Sequence, residues 1–261
     1  MTKVREIASA IEEFAPLRLQ ESYDNAGLQV GDPEAEVSAV LLCLDVTEDI
    51  LEEAQRRSCS MVVSHHPLIF HGLKSLTGAD ETQRLVMQAF RNNIAIYSAH
   101  TNLDSAWDGV SHEMAHTIGV ENLRPLEPSE PDGNTGLGVI GDLPATPKLE
   151  LLRRIKDKFQ VKCLKYSAGK RQLVVKKVAL CGGSGASLIR TAIAAGADMF
   201  VTADIKYHDF TGYGDSILLA DIGHFESELC SERIFSRLIR EKFPDMVVYF
   251  PESEKNPVKF M

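Results

Sequence analysis

The sequence has little of what marks a secreted, membrane-bound or disulfide-bonded protein. Its 261 residues include only five cysteines and no Cys-x-x-Cys pair, which disfavours a disulfide framework and a structural zinc ribbon. No apolar run approaches the ~20 residues that a membrane-spanning helix needs. The N-terminal segment carries acidic residues where a signal peptide needs an apolar core. We therefore expect a cytoplasmic protein that does not enter a membrane.

Basic residues are also in short supply. Lysine and arginine number 28 against 37 acidic residues, so the formal net charge is −9. An acidic protein repels the phosphate backbone, and a nucleic-acid partner is therefore disfavoured. The remaining composition, with 44% hydrophobic and 25% charged residues, is typical of a globular protein. The length allows one large domain or two small ones.

Two stretches of the chain share a strand–helix–strand pattern and align without gaps at an offset of 138 residues. The first has a strand at Val37–Leu44, a helix at Glu48–Arg57 capped by Thr47, and a strand at Ser60–Ser64. The second has a strand at Val178–Cys181, a helix at Ala186–Ala195 and a strand at Asp198–Thr202. The alignment pairs Cys43 with Cys181, Met61 with Met199, Ser64 with Thr202 and His66 with Asp204. Such a match favours an internal duplication.

Each stretch predicts a parallel sheet, because a strand–helix–strand unit joins parallel strands by a right-handed crossover. A further strand follows in each half, at Ile94–Ala99 and at Ile217–Ala220. We therefore predict an α/β fold made of two similar halves, residues 1–125 and 126–261. The segment Pro125–Pro131, rich in proline and glutamate, is predicted to link them.

Metal-ligating side chains follow the predicted strands, where open α/β sheets bind their ligands. His224 and Glu228 are spaced i, i+4, so on a helix they would converge on one ion. His65 and His66 can splay from a strand end, one to each of two ions. Imidazole and carboxylate groups together predict a hydrolytic centre of two divalent ions. The predicted ligands are His65, His66, Asp104, His224 and Glu228; three histidines favour Fe, Zn, Mn or Ni over Mg.

Two further features extend the predicted site. The turn Gly182-Gly183-Ser184-Gly185 follows a strand and opens a helix, so its backbone N–H groups could hold a phosphate. A tight turn with no ligand is the favoured alternative, since the segment has neither the dinucleotide nor the P-loop fingerprint. His100, four residues before Asp104, can lie near the ions without ligating them. It is the candidate catalytic residue, as a base or proton shuttle.

Five motifs, in this order, carry a resemblance to a known family. They are Tyr23-Asp-Asn-Ala-Gly-Leu-Gln-Val-Gly31, Ser64-His-His-Pro-Leu-Ile-Phe70, Ala99-His-Thr-Asn-Leu-Asp104, Cys181-Gly-Gly-Ser-Gly185 and Asp221-Ile-Gly-His-Phe-Glu-Ser-Glu228. The chain closely resembles the GTP cyclohydrolase I type 2 homologues, also called NGG-one-interacting-factor-three-like proteins. The resemblance covers nearly the whole chain.

The resemblance implies two similar, intertwined α/β domains with a site for two metal ions between them. It also implies a ring-shaped oligomer, often a hexamer. The family's histidine pair falls on His65 and His66, its strand-end aspartate on Asp104, and its final histidine and glutamate on His224 and Glu228. The family name points to opening of the GTP purine ring, whereas the residues themselves support only metal-assisted hydrolysis.

Three functions compete at this point. The first is a metal-dependent hydrolase that acts on a nucleotide or a related phosphate-bearing small molecule. The second is a non-enzymatic metal-binding protein whose ring serves as a regulatory or scaffold surface. The third, a nucleic-acid clamp, is opposed by the net charge of −9. Open coordination positions on the ions favour the hydrolase.

Overall fold

The chain folds into two mixed α/β units, each built around its own sheet. The structure is a computed structural model that describes residues 2–129, 133–168 and 173–261. The first unit comprises Met1–Leu103 and Ser231–Pro257, and the second comprises Asp104–Cys230 and Val258–Met261. Within the described ranges, no helix is long and apolar enough to cross a membrane.

Helices alternate with strands along most of the chain. The α-helices are α1 (Val4–Phe14), α2 (Glu48–Arg56), α3 (Glu81–Arg91), α4 (Thr101–Ser105), α5 (Val110–Ile118), α6 (Lys148–Lys158), α7 (Ile189–Ala194), α8 (Tyr207–Tyr213), α9 (His224–Glu228) and α10 (Ser231–Lys242). Short 3₁₀ turns occupy Leu17–Leu19 and Ala186–Leu188. The predicted cap of α2 is confirmed, because the Thr47 hydroxyl accepts the backbone N–H of Ile50 at 3.3 Å.

The strands form one sheet in each unit. They are β1 (Gly27–Val30), β2 (Ala39–Cys43), β3 (Met61–Ser64), β4 (Ala95–Ser98), β5 (Glu121–Pro128), β6 (Gly136–Pro147), β7 (Lys165–Tyr166), β8 (Val174–Leu180), β9 (Met199–Thr202), β10 (Leu218–Asp221) and β11 (Val247–Tyr249). The first sheet has the order β1-β4-β3-β2-β11, and the second has the order β5-β6-β8-β9-β10-β7. The predicted α/β class is confirmed.

The two sheets share a parallel core of three strands in the same register. In the first sheet Val40 lies opposite Met61, and in the second Val178 lies opposite Met199. The third strands continue the pattern, with Met61 opposite Ala95 and Met199 opposite Leu218. The first pairings agree at the 138-residue offset of the sequence repeat. Every residue of β2, β3, β4, β9 and β10 is buried, as dense apolar runs predict for strands covered on both faces.

The units divide the chain at different points from the predicted boundary between residues 125 and 126. After the second unit, α10 and β11 return to the first, where β11 pairs in parallel with β2. Asp104, assigned above to the first half, groups with the second unit. The predicted linker at Pro125–Pro131 is wrong up to Pro128, because that stretch is part of edge strand β5. A proline is tolerated there because an edge strand leaves one row of N–H groups unpaired. Residues 130–131 of that prediction lie outside the described residues.

Candidate metal centre

Three histidine rings of the first unit meet at the carboxyl ends of β3 and β4. His65 and His66 follow β3 directly, and His100 lies two residues beyond β4. Because Ser64 is paired with Ser98 in the parallel ladder, the segments beyond both strands leave the sheet side by side. The ring centroids are 5.2–5.4 Å apart, and one ligating nitrogen from each ring lies within 4.8 Å of the others. This trio can hold a metal ion.

Each ring of the trio is oriented by an acceptor on its Nδ1 atom. The Nδ1 of buried His65 lies 2.8 Å from the carbonyl oxygen of Ala99. Since a carbonyl can only accept, Nδ1 of His65 carries the proton and Nε2 presents its lone pair. His66 Nδ1 lies 2.7 Å from Asp45 Oδ1, and His100 Nδ1 lies 2.8 Å from Asp24 Oδ1. This carboxylate–histidine arrangement is the one that orients metal-ligating imidazoles in proteins.

Asp24 is a fixed anion behind His100. Its side chain is fully buried, and its Oδ2 accepts the backbone N–H of Thr101 at 3.0 Å. Burial alone would raise the pKa of Asp24, but hydrogen bonds from the His100 ring and the Thr101 hydroxyl outweigh burial and hold the pKa well below its usual range. A carboxylate that stays ionised in this place keeps an acceptor on His100 Nδ1 and fixes the orientation of the ring.

The second unit contains a matching arrangement around His224, the first residue of α9. Its Nδ1 lies 2.7 Å from Asp204 Oδ2, and its Nε2 lies 2.9 Å from Glu228 Oε2. The i, i+4 spacing therefore brings the imidazole and the carboxylate together, with Glu228 almost fully buried. Asp204 has a φ of 54°, a left-handed conformation that aspartate tolerates better than most residues. Here too a carboxylate holds Nδ1, and Nε2 points at another candidate metal ligand, Glu228.

The turn Gly182–Gly185 packs against this pair. A Cβ on Gly183 would overlap Glu228 Oε1 and lie 3.3 Å from His224 Cε1, and its φ of 56° also favours glycine. The backbone N–H groups of Gly182, Gly183 and Gly185 donate to the hydroxyls of Ser111, Ser227 and Thr202 at 2.9–3.3 Å. These hydrogen bonds give the turn a packing role, and the phosphate contact at Gly182, Gly183, Ser184 and Gly185 stays a prediction.

Asp104 and Cys181 complete the polar surroundings in the second unit. The Asp104 side chain is buried near the end of α4. Burial raises the pKa of the Cys181 thiol far above its usual range, and the charges of Asp104 and Glu228 raise it further. A thiolate is therefore disfavoured at Cys181, in agreement with a ligand set of imidazole and carboxylate alone.

Sequence reasoning missed the roles of the three orienting carboxylates, Asp24, Asp45 and Asp204. A signal for Asp45 was present, because Cys43 is paired with Ser64 and two further residues bring Asp45 level with His66. Asp204 stands at the position that the repeat aligns with His66. The repeat thus places a histidine, His66, after β3 and a carboxylate that orients another histidine, Asp204, after the equivalent strand β9.

The chain matches a known family over almost its whole length. The family model described as Duf34/NIF3 (NGG1p interacting factor 3) matches residues 2–257. A "GTP cyclohydrolase 1 type 2 homolog" of Clostridium perfringens is 34% identical over 99% of this chain and 100% of its own length. A protein of the same name from Clostridium acetobutylicum is 32% identical over 99% of this chain and 98% of its own length.

Solved structures agree with this match. The Staphylococcus aureus hypothetical protein SA1388 has a TM-score of 0.90 and 26% identity, and the alignment covers 99% of both chains. Reduced HcgD from Methanocaldococcus jannaschii has a TM-score of 0.81 and 26% identity, covering 96% of this chain and 98% of its own. The fold described above is therefore shared along the full length of these proteins.

Proposed function

Because this chain belongs to the Duf34/NIF3 family, we propose that it is a metal-dependent hydrolase acting on a nucleotide or a related phosphate-bearing small molecule. The observation that carries the proposal is the orientation of four histidines. In each, Nδ1 lies 2.7–2.8 Å from a carbonyl or carboxylate oxygen, which fixes the ring and makes Nε2 its ligating atom. In His224 that Nε2 already lies 2.9 Å from Glu228, another proposed ligand. The names of the relatives, "GTP cyclohydrolase 1 type 2 homolog", make GTP the first substrate to test.

The proposed centre holds two divalent ions per chain. Its ligands are the residues predicted from the sequence, namely His65, His66, Asp104, His224 and Glu228. Neutral imidazoles among carboxylates favour Fe, Zn, Mn or Ni over Mg. When bound, such ions polarise a phosphoryl or amidine group and lower the pKa of a bound water to near neutrality. The carboxylates of Asp45 and Asp204 fix the imidazoles that face the ions.

His100 is proposed as the general base or proton shuttle. Its Nδ1 proton is held by Asp24 at 2.8 Å, so Nε2 is the atom that accepts a proton from the reaction. The buried, ionised Asp24 compensates the positive charge that then forms on the ring. The proximity of His100 to His65 and His66 also allows it to be a third imidazole ligand. Metal content of a His100 variant distinguishes the two roles.

The test begins with elemental analysis of untagged protein purified without chelator, followed by a hydrolysis screen with each metal restored. We expect close to two ions per chain and turnover of GTP or another phosphate-bearing compound above the rate with free metal. His224→Ala should lower metal content, while His116→Ala, an exposed histidine of α5, should not. Well under one ion per chain would contradict the proposed centre.

The His100→Ala variant tests the catalytic role separately. We expect its metal content to equal that of the unmodified protein and its turnover to fall by ~10²-fold or more. Loss of metal would make His100 a ligand, and full activity would remove it from the reaction. If metal-replete protein turns over no nucleotide or phosphoester, the second candidate, a metal-binding regulatory or scaffold protein, replaces the hydrolase. The hexameric ring implied by the resemblance is tested by sedimentation.

A further inference from the structure

Two exposed aromatic side chains border the histidine trio of the first unit. Tyr23 is 62% exposed and Phe70 is 38% exposed, although large aromatic rings gain most from burial. Their ring centroids are 6.4 Å apart, and the Phe70 ring lies 6.3 Å from the ring of His100. Apolar surface is thus left open to solvent directly beside a residue proposed to act on the substrate.

The two loops that carry these rings are tied together by side-chain hydrogen bonds. Asn25 Nδ2 donates to the carbonyl oxygen of Ile69 at 2.5 Å, and the Ile69 N–H donates to Gln29 Oε1 at 3.0 Å. Gln29 Nε2 in turn donates to the carbonyl oxygen of Asn25 at 2.6 Å. The amide side chains of Asn25 and Gln29 thus hold the segment after Tyr23 against the residue before Phe70. The two aromatic rings are therefore carried by loops whose relative position is fixed by hydrogen bonds.

The aromatic surface is also coupled to the histidine trio. Asp24, the residue after Tyr23, holds the ring of His100 and the backbone of Thr101. Phe70 follows the His65–His66 segment and packs edge-on against both His100 and His71. The same two loops therefore orient the reacting side chain and display the aromatic rings. A ligand bound at His100 therefore lies within reach of the Phe70 ring, 6.3 Å away, which in turn lies 6.4 Å from the Tyr23 ring.

We propose that Tyr23 and Phe70 receive the planar base of a nucleotide substrate and so determine which phosphate-bearing compounds the protein selects. This inference rests on the proposed function, because it names the substrate class of the same site. Every nucleobase has a π-face, and stacking on an aromatic side chain contributes substantially to binding in water. A sugar phosphate without a base gains nothing from these rings.

The experiment measures binding of two probes to metal-replete protein by calorimetry, GMP and ribose 5-phosphate. They share the sugar and the phosphate, so the difference between their dissociation constants isolates the base. We expect GMP to bind more tightly. Phe70→Leu and Tyr23→Leu should each weaken GMP binding by about tenfold, the loss of one stacking contact, and leave ribose 5-phosphate unchanged. The conservative variants Phe70→Tyr and Tyr23→Phe keep an aromatic ring and should bind GMP as the unmodified protein does.

Phe90→Leu is the matched control, because Phe90 is a 72% exposed aromatic residue of the same unit on α3. It should bind both probes as the unmodified protein does. Equal binding of the two probes, or equal losses for both in the leucine variants, would overturn the inference. So would leucine variants that change the sedimentation coefficient and leave GMP binding intact, since the rings would then serve contact between copies of the chain.

The two proposals fail in different ways. Protein that binds GMP through Phe70 but hydrolyses nothing would contradict the hydrolase and leave the base-binding surface standing. Protein that hydrolyses phosphoesters with unchanged specificity in both leucine variants would contradict the surface and leave the hydrolase standing. Metal analysis of every variant shows whether the substitutions have disturbed the centre itself.

Discussion

Replacing Glu232 by glutamine should make the free energy of unfolding less sensitive to a rise in pH. Glu232, on α10, is buried, and its carboxyl group interacts with that of Glu254. Glu254 Oε1 also accepts the backbone N–H of Leu44 at 2.5 Å. Among the described residues, Glu232 Oε1 and Glu254 Oε2 are buried without a hydrogen-bond partner. Burial, together with the neighbouring Glu254 carboxyl group, strongly raises the pKa of Glu232.

The sign of the effect follows from where the proton is held. The unfolded chain ionises a glutamate near pH 4.3, whereas folded Glu232 keeps its proton well above that pH. Unfolding then releases a proton, so the free energy of unfolding falls as pH rises through this window. One proton contributes at most ~1.4 kcal/mol per pH unit, or about 4 kcal/mol between pH 5 and pH 8. Glutamine keeps a hydrogen-bond donor for Glu254 at every pH.

The assay is urea unfolding of metal-free protein at pH 5, 6, 7 and 8. Glu232→Gln should match the unmodified protein near pH 5 and exceed its free energy of unfolding by about 2–4 kcal/mol at pH 8. Glu241→Gln, an exposed glutamate on the same helix, should show no pH-dependent difference. Every other titrating group is common to the three proteins and cancels. A Glu232→Gln difference that is constant with pH would refute the reasoning.

Three further predictions concern the metal centre. Asp45→Asn should lower metal affinity by about 10- to 100-fold, since it loosens the histidine that Asp45 orients. Titration with a competing chelator measures this affinity, and Asp49→Asn, at an exposed position on α2, should have no effect. Gly183→Ala should weaken metal binding, because the added methyl group displaces Glu228. The control Gly196→Ala is also at positive φ but has open space around a Cβ, so it should cost only backbone strain of about 1–2 kcal/mol. Equal metal affinities in the two variants would contradict the packing role of Gly183. Chelation should lower the melting temperature, because ions that bind only the folded state stabilise it by mass action; an unchanged midpoint after verified metal removal would show that the fold does not depend on them.

Much of the fold was predictable because the strands are short, dense apolar runs with a repeat behind them. The duplication supplied the strongest constraint, since an alignment of Met61 with Met199 predicts the same register in both sheets, as found. The return of the chain to the first unit after Ser231 was not predictable. Nothing in the apolar run near Val247–Tyr249 says that it pairs with β2 rather than with a strand close to it in sequence.

The candidate site was predictable where residues are adjacent or at helical spacing, as for His65, His66 and the His224–Glu228 pair. The orienting carboxylates were harder, because Asp24 reaches His100 across 76 residues of sequence. Such a contact depends on how a loop packs over a strand end, and spacing alone carries no information about it. The engaged N–H groups of the Gly182–Gly185 turn depend likewise on hydroxyls from three separate elements.

The pairing of β11 with β2 has a consequence for how the protein is made. On the ribosome, the continuous run Asp104–Cys230 of the second unit is complete before α10 and β11 have been synthesised. The first sheet must therefore wait with the edge of β2 open, and an open edge invites pairing with other chains. We expect nascent chains stalled before Val247 to aggregate or to recruit chaperones. A circular permutant that places α10 and β11 ahead of β1 should shorten that wait.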